Sequence, residues 1–152
     1  MLCIFFITIK NLYSAPIFEK EFLQVYNGEK TFCFEVFIAD TYIKRKHGLM
    51  FVKNLKKNMG MLFIYPKPQI VKMWMKNTII SLDMVFVKKN GRVVHINNNT
   101  KPHDLTPLGP DMKVLGVLEI LGGLSEKLKI MPGSTINHRV FNGNKEIKCR
   151  LL

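Results

Sequence analysis

Apolar and polar positions alternate most clearly over residues 31–38, where Phe32, Phe34, Val36 and Ile38 recur two apart. Successive side chains of a strand point to opposite faces, so this spacing predicts a half-buried β-strand. Residues 18–25 are the first candidate strand before it, and Asn27-Gly28 between them supplies the residue types of a tight hairpin turn. Residues 60–65 predict another strand, stopped by Pro66 and Pro68 because proline cannot donate to a ladder. Residues 71–75 read as extended and lead into the polar turn Lys76-Asn77-Thr78. Residues 82–87 and 93–97 flank a second hairpin signal, Asn90-Gly91. Residues 98–112 carry Pro102, Pro107 and Pro110 and form a long loop; residues 114–121 are a strand ended by Gly122-Gly123. Residues 135–141 predict a further strand, and Asn142-Gly143 opens a last hairpin back through Ile147. Two stretches read as short helices: residues 41–49, capped by Asp40 or Thr41 and ended at Gly48, and residues 124–129. Eight or more strands with two brief helices predict a mainly β, single-domain fold, sandwich- or barrel-like, spanning residues 16–152.

Residues 1–15 stand apart. Residues 2–9 are uniformly apolar, long enough for a short export signal, yet no basic residue precedes them and Lys10 closes them early. A degenerate signal and a strand-like tail are equal readings. The first implies an exported, periplasmic or envelope-associated protein; the alternative is cytoplasmic. No run approaches the roughly 20 apolar residues of a spanning helix. The three cysteines, Cys3, Cys33 and Cys149, show no C-x-x-C, and their odd number argues against a disulfide framework. Buried free thiols are the favoured reading; a Cys33–Cys149 bridge requires their segments to be neighbours.

Charge adds a second pattern. The net charge is +12, and residues 41–82 hold nine basic residues and no acidic one. Such a stretch tempts a nucleic-acid reading through phosphate neutralisation. The basic residues are mostly lysines spread over loops and strand ends, without a recognition helix or an aromatic RNA-binding pattern, so nucleic acid is disfavoured. An acidic or polar ligand fits better, with the chain a monomer.

Several motifs are more specific. Ala39-Asp40-Thr41, Arg45 and Gly48-Leu49-Met50 come first, then Gly60-Met61-Leu62-Phe63. Trp74-Met75-Lys76-Asn77-Thr78 follows, with Ile80, Leu82-Asp83 and Phe86, and then Val117-Leu118-Glu119-Ile120, Gly123, Ile130 and Gly133. In order and spacing, over residues 32–136, these resemble the motifs of the DUF192 (UPF0127) family. The resemblance implies a compact β-sandwich-like domain, often behind an export signal, with no established biochemical function. Val52, Ser81, Leu121 and Ser134 depart from residues common in the family.

The polar residues within these motifs are Asp40, Arg45, Lys76, Asn77, Thr78, Asp83 and Glu119. As a binding site, Asp40 or Asp83 pairs with Arg45 or Lys76, and Asn77 and Thr78 donate to an anionic or sugar-like ligand. As structure, Asp40 caps the helix, Asn77 and Thr78 satisfy turn amides, and Asp83 braces a cation. An enzyme using Asp40, Asp83 and Glu119 as acid–base groups is an alternative, although G-x-S-x-G, H-E-x-x-H and a phosphate-binding glycine loop are missing. The histidines, at 47, 95, 103 and 138, lack metal-ligand spacing and read as surface or loop residues. Met59, Met61, Met73 and Met75 form a further alternative: thioethers select Cu(I), with His47 or His103 completing a site. Against it, methionines commonly fill irregular cores, here around Trp74. A non-enzymatic binding module of the cell envelope, without cofactor, is the leading expectation.

Overall fold

The computed structural model describes residues 14–142, together with Ile147 and Cys149. Seven strands are found among them: β1 (Lys20–Tyr26), β2 (Thr31–Ala39), β3 (Met59–Ile70), β4 (Leu82–Val87), β5 (Val93–Asn97), β6 (Lys113–Leu121) and β7 (Thr135–Asn137). Three short helices accompany them: α1 (Tyr42–His47), α2 (Leu124–Lys127) and α3 (Arg139–Asn142). The fold is mainly β, as the alternating pattern requires.

All seven strands form one sheet in the order β5-β4-β6-β3-β2-β1-β7, not two stacked sheets. It curls into a half-barrel until its outermost strands touch. The Val93 amide donates to the Ser134 carbonyl at 2.8 Å, and the Ile136 amide to the Gly91 carbonyl at 2.7 Å. Only β2 and β3 run parallel; the other neighbours are antiparallel. A parallel pair needs a crossover, and residues 40–58, containing α1, provide it.

The alternation sorts side chains onto two faces. Leu23, Val25, Phe34, Val36, Ile38, Leu62, Val85, Leu118 and Ile120 fill the inside of the curl. Met61, Phe63, Met84, Phe86, Val114 and Val117 belong to a second core on the opposite face. Leu49 and Leu55 of the crossover and Val71, Met73 and Met75 of the following loop cover that second face. A sheet buried on both sides explains why residues 114–118 are nearly continuous in apolar character.

Three expectations are corrected, and one lies outside the described residues. β3 does not stop at the prolines: it runs to Ile70, and the pairing with β6 shifts register between Ile64 and Gln69, where exposed Pro66 and Pro68 need not donate. The strand expected over residues 135–141 ends at Asn137 and gives way to the helical turn α3. The hairpin expected from Asn142-Gly143 to Ile147 falls largely outside the described residues. Cys33 and Cys149 are not free thiols but form a disulfide, their Cα atoms 5.7 Å apart, with 116 positions between them in sequence. Cys149 lies beside β1 and β2, and only that tertiary placement brings the two sulfurs together. The remaining thiol, Cys3, and the rest of residues 1–13 lie outside the described residues.

Candidate functional site

The crossover and the loop after β3 do not lie flat on the second face. They leave a cleft of about 370 Å³ between them and the sheet. α1 forms one wall. Thr41 caps it, its hydroxyl oxygen accepting from the Lys44 amide at 3.2 Å. Gly48 ends it at φ +54, and a Cβ there would sit 3.2 Å from the Phe63 ring, so the helix closes against the sheet only because this position is glycine.

Glu119 is the floor. On β6 it shares the face of Val117, and it pairs with Met61 on one side and Met84 on the other. It is 4% exposed, yet it lines the cleft. No hydrogen bond to its carboxyl is found among the described residues, so burial alone pushes its pKa up to about 8. At neutral pH this group is chiefly a neutral acid with an O–H to donate.

Around it stand a phenol, an indole and several cations. Tyr65 lies in register with Met61 and Phe63 on β3, and burial pushes its hydroxyl up to about 12, with Arg45 opposing the shift and Glu119 adding to it. The Arg45 guanidinium sits 5.2 Å from the Tyr65 ring. Its Nη1 donates to the carbonyls of Asp40 (2.5 Å) and Ile64 (2.8 Å), which fixes the arginine at the cleft wall. Lys76 Nζ lies 5.3 Å over the Trp74 ring, and both residues line the cleft. Lys46 and Lys72 complete the basic lining. Lys72 donates to Asp111 (2.8 Å) and to the Gly109 carbonyl (2.6 Å).

Of the seven residues expected from sequence, Arg45, Lys76, Thr78 and Glu119 converge on this cleft. Asp40, Asn77 and Asp83 do not line it. Asp40 pairs with Lys44 at 3.4 Å. Asn77 turns the chain at φ +54, its carbonyl accepts from the Phe51 amide, and its side chain reaches the Met50 sulfur at 3.8 Å. Asp83 shares the opposite face of the sheet with Val85. There it accepts from the amides of Asn99, Gly123 and Ser125 at 2.8–2.9 Å and from the Ser125 hydroxyl at 2.5 Å. It clamps the α2 turn to the loop after β5, so the bracing of a cation foreseen for it is replaced by bracing of backbone.

Met61, Met73 and Met75 belong to the second core, and Met59 packs against it. Met73 Sδ accepts from the Tyr65 hydroxyl at 3.6 Å, and Met75 Sδ lies 3.2 Å from Thr100 Oγ1. Met61 is buried and Met59 is half-buried at the start of β3. Trp74, expected at the centre of that core, is 48% exposed at the mouth of the cleft. Among the described residues no group of three or more His, Cys, Asp or Glu is placed to hold a metal ion. His138, read as a surface or loop residue, lies in the connection between β7 and α3 but is buried, 3.0 Å from Glu21. Tyr65, Lys46 and Lys72 are among the lining residues that motif reading passed over, and Trp74, although part of a motif, was not counted with the site. Parity with Met61 and Phe63 was the available signal for Tyr65; Lys46 and Lys72 carried none.

The DUF192 family model, described as "Uncharacterized ACR", matches residues 24–138. No curated protein matches the chain. A crystal structure from Sinorhizobium meliloti 1021, described as a "putative transcription regulator", is 30% identical, with a TM-score of 0.78. That match covers 79% of this chain and 94% of the other. A protein of unknown function from Novosphingobium aromaticivorans DSM 12444 is 36% identical, with a TM-score of 0.76, covering 78% of this chain and 85% of the other. The chain belongs to the DUF192 family.

Proposed function

We propose that this member of the DUF192 family is a non-enzymatic binding module that holds a small anionic ligand in the cleft between α1 and the sheet. The observation that carries the reading is Glu119: a buried carboxyl facing a cavity, with no hydrogen-bond partner among the described residues and with cations elsewhere on the lining of the same cleft. A buried polar group without a partner costs free energy unless something in the cavity pairs with it. Glu119 donates its O–H to an acceptor on the ligand, Arg45 and Lys76 neutralise the anion, and Trp74 and Tyr65 offer ring faces to its carbon skeleton. A phosphorylated or carboxylated polyol or sugar has this combination.

Two-carboxylate acid–base catalysis is less well supported, because such mechanisms need a second carboxyl across the reacting bond. Asp40 and Asp83 lie elsewhere, and Glu119 is the one carboxyl among the described lining residues. The regulator description of the S. meliloti protein is not carried over. α1 has six residues, too few to fill a DNA groove as a recognition helix, and the basic side chains surround a concavity. An exported or envelope location is part of the proposal, supported by the Cys33–Cys149 disulfide, since such bonds persist in oxidising compartments.

A thermal-shift and calorimetric screen with glycerol phosphate, hexose phosphates and dicarboxylates tests the binding reading. The expected result is that at least one anion stabilises the protein and binds roughly tenfold more weakly to Glu119→Gln and to Lys76→Ala, about 1.4 kcal/mol. If no anion separates wild type from these folded variants, the reading fails.

A further inference from the structure

The mouth of the cleft carries a second pattern that anion binding does not need. Five large apolar side chains stand exposed there: Tyr42 (72%), Ile43, Phe51 (63%), Trp74 and Ile79. They come from three segments separate in sequence: α1, the turn after it, and the loop before β4. Those segments are tied together. The Phe51 amide donates to the Asn77 carbonyl at 2.9 Å, the His47 and Phe51 rings lie 6.4 Å apart, and Asn77 reaches the Met50 sulfur.

Two of the tying residues hold left-handed backbone, Phe51 at φ +64 and Asn77 at φ +54. For a bulky aromatic this conformation is rare and costs free energy. Here it displays Phe51 to solvent, where hydrophobic burial repays nothing. All five apolar residues lie within residues 41–82, the stretch with nine basic and no acidic residues. Aromatic and aliphatic groups interleaved with lysines, around a concavity, fit neither a dry protein interface nor a nucleic-acid groove. Protein interfaces deplete lysine, and groove readers order their cations along a helix or ribbon.

We infer that this collar is a docking surface for an anionic lipid bilayer. Tryptophan and tyrosine partition to the headgroup level, with the apolar body inward and the polar edge wet. Lysines around them are drawn by the surface potential of acidic lipids, while their stems lie along the apolar rim. The collar goes beyond the anion-binding reading and does not depend on it, because Ile43, Phe51 and Ile79 are outside the cleft lining.

Trp74 is the single tryptophan of the chain, so intrinsic fluorescence reports on the collar directly. The experiment titrates the full chain with phosphatidylglycerol–phosphatidylcholine vesicles, with pure phosphatidylcholine vesicles, and with duplex DNA at matched phosphate concentration. The expected result is a blue shift of Trp74 emission and co-sedimentation with the acidic vesicles alone, weakening as salt rises. Ile43→Ser combined with Phe51→Asn should lower partitioning at least tenfold. Asparagine tolerates the left-handed backbone, circular dichroism reports folding, and binding of any soluble anion found in the screen should be unchanged. A shift with acidic vesicles that survives in Glu119→Gln upholds the docking surface even if the cleft binds no soluble anion. The absence of a shift on acidic vesicles, a shift with DNA alone, or full partitioning of the folded double variant overturns it.

Discussion

Glu119 and Asp83 are both acidic, both buried and on neighbouring strands, yet the pleat assigns them opposite roles. Asp83 points to the side where three amides and a hydroxyl converge, so its charge is fully used. Asp83→Ala strands those donors and should lower unfolding stability by about 3–5 kcal/mol, read from urea denaturation. Asp83→Asn, which keeps an acceptor oxygen, should cost less. Glu119 has a different signature. Unfolded, its carboxyl titrates at the ordinary 4.5; folded, near 8. Between those values the folded state holds a proton that the unfolded state has released. Stability is therefore full below about pH 4.5 and falls as pH rises towards 8, by roughly 4–5 kcal/mol in total. Unfolding curves across that window should show the decline in wild type and lose most of it in Glu119→Gln. Parallel curves for the two proteins would mean that Glu119 is ionised in the fold.

At the scale of elements, the crossover between β2 and β3 makes the site. A parallel pair obliges the chain to leave the sheet and return, and the return path supplies α1, the Gly48 turn and the cover of the second face. The other long-range link is the disulfide. The Cys33–Cys149 bond closes a loop spanning most of the chain, which restricts the unfolded ensemble strongly. Reduction, or Cys149→Ser, should lower stability by about 2–5 kcal/mol while leaving the sheet intact by circular dichroism. Maleimide labelling of protein taken directly from cells should reach Cys33 and Cys149 only after reductant. Labelling without reductant would place the chain in a reducing compartment.

At the scale of the molecule, a half-barrel with apolar side chains on both faces resolves the charge pattern. Of the nine basic residues in the acid-free stretch of residues 41–82, Arg45, Lys46, Lys72 and Lys76 stand around one cleft. The strands, the Thr41 cap, two hairpin turns and the family were legible in the chain, because period-two alternation, capping oxygens and turn glycines act over a few residues. Parity along β6 even specifies that Glu119 faces the side opposite Leu118. Sequence alone could not show that this side is roofed by a crossover and left partly hollow. Neither could it separate Asp83 from Glu119 by face, since that depends on which strands pair and in what register. It placed Trp74 in the core, because an indole between methionines reads as buried until the loop is seen to bury Met73 and Met75 and leave Trp74 exposed between them. It favoured free thiols, because two cysteines 116 positions apart meet only through the tertiary fold. Local chemistry thus determined the elements and most of their bounds. Tertiary structure decided the cleft, its lining and the disulfide, because each is an encounter between segments whose separation along the chain carries no information about their distance in space.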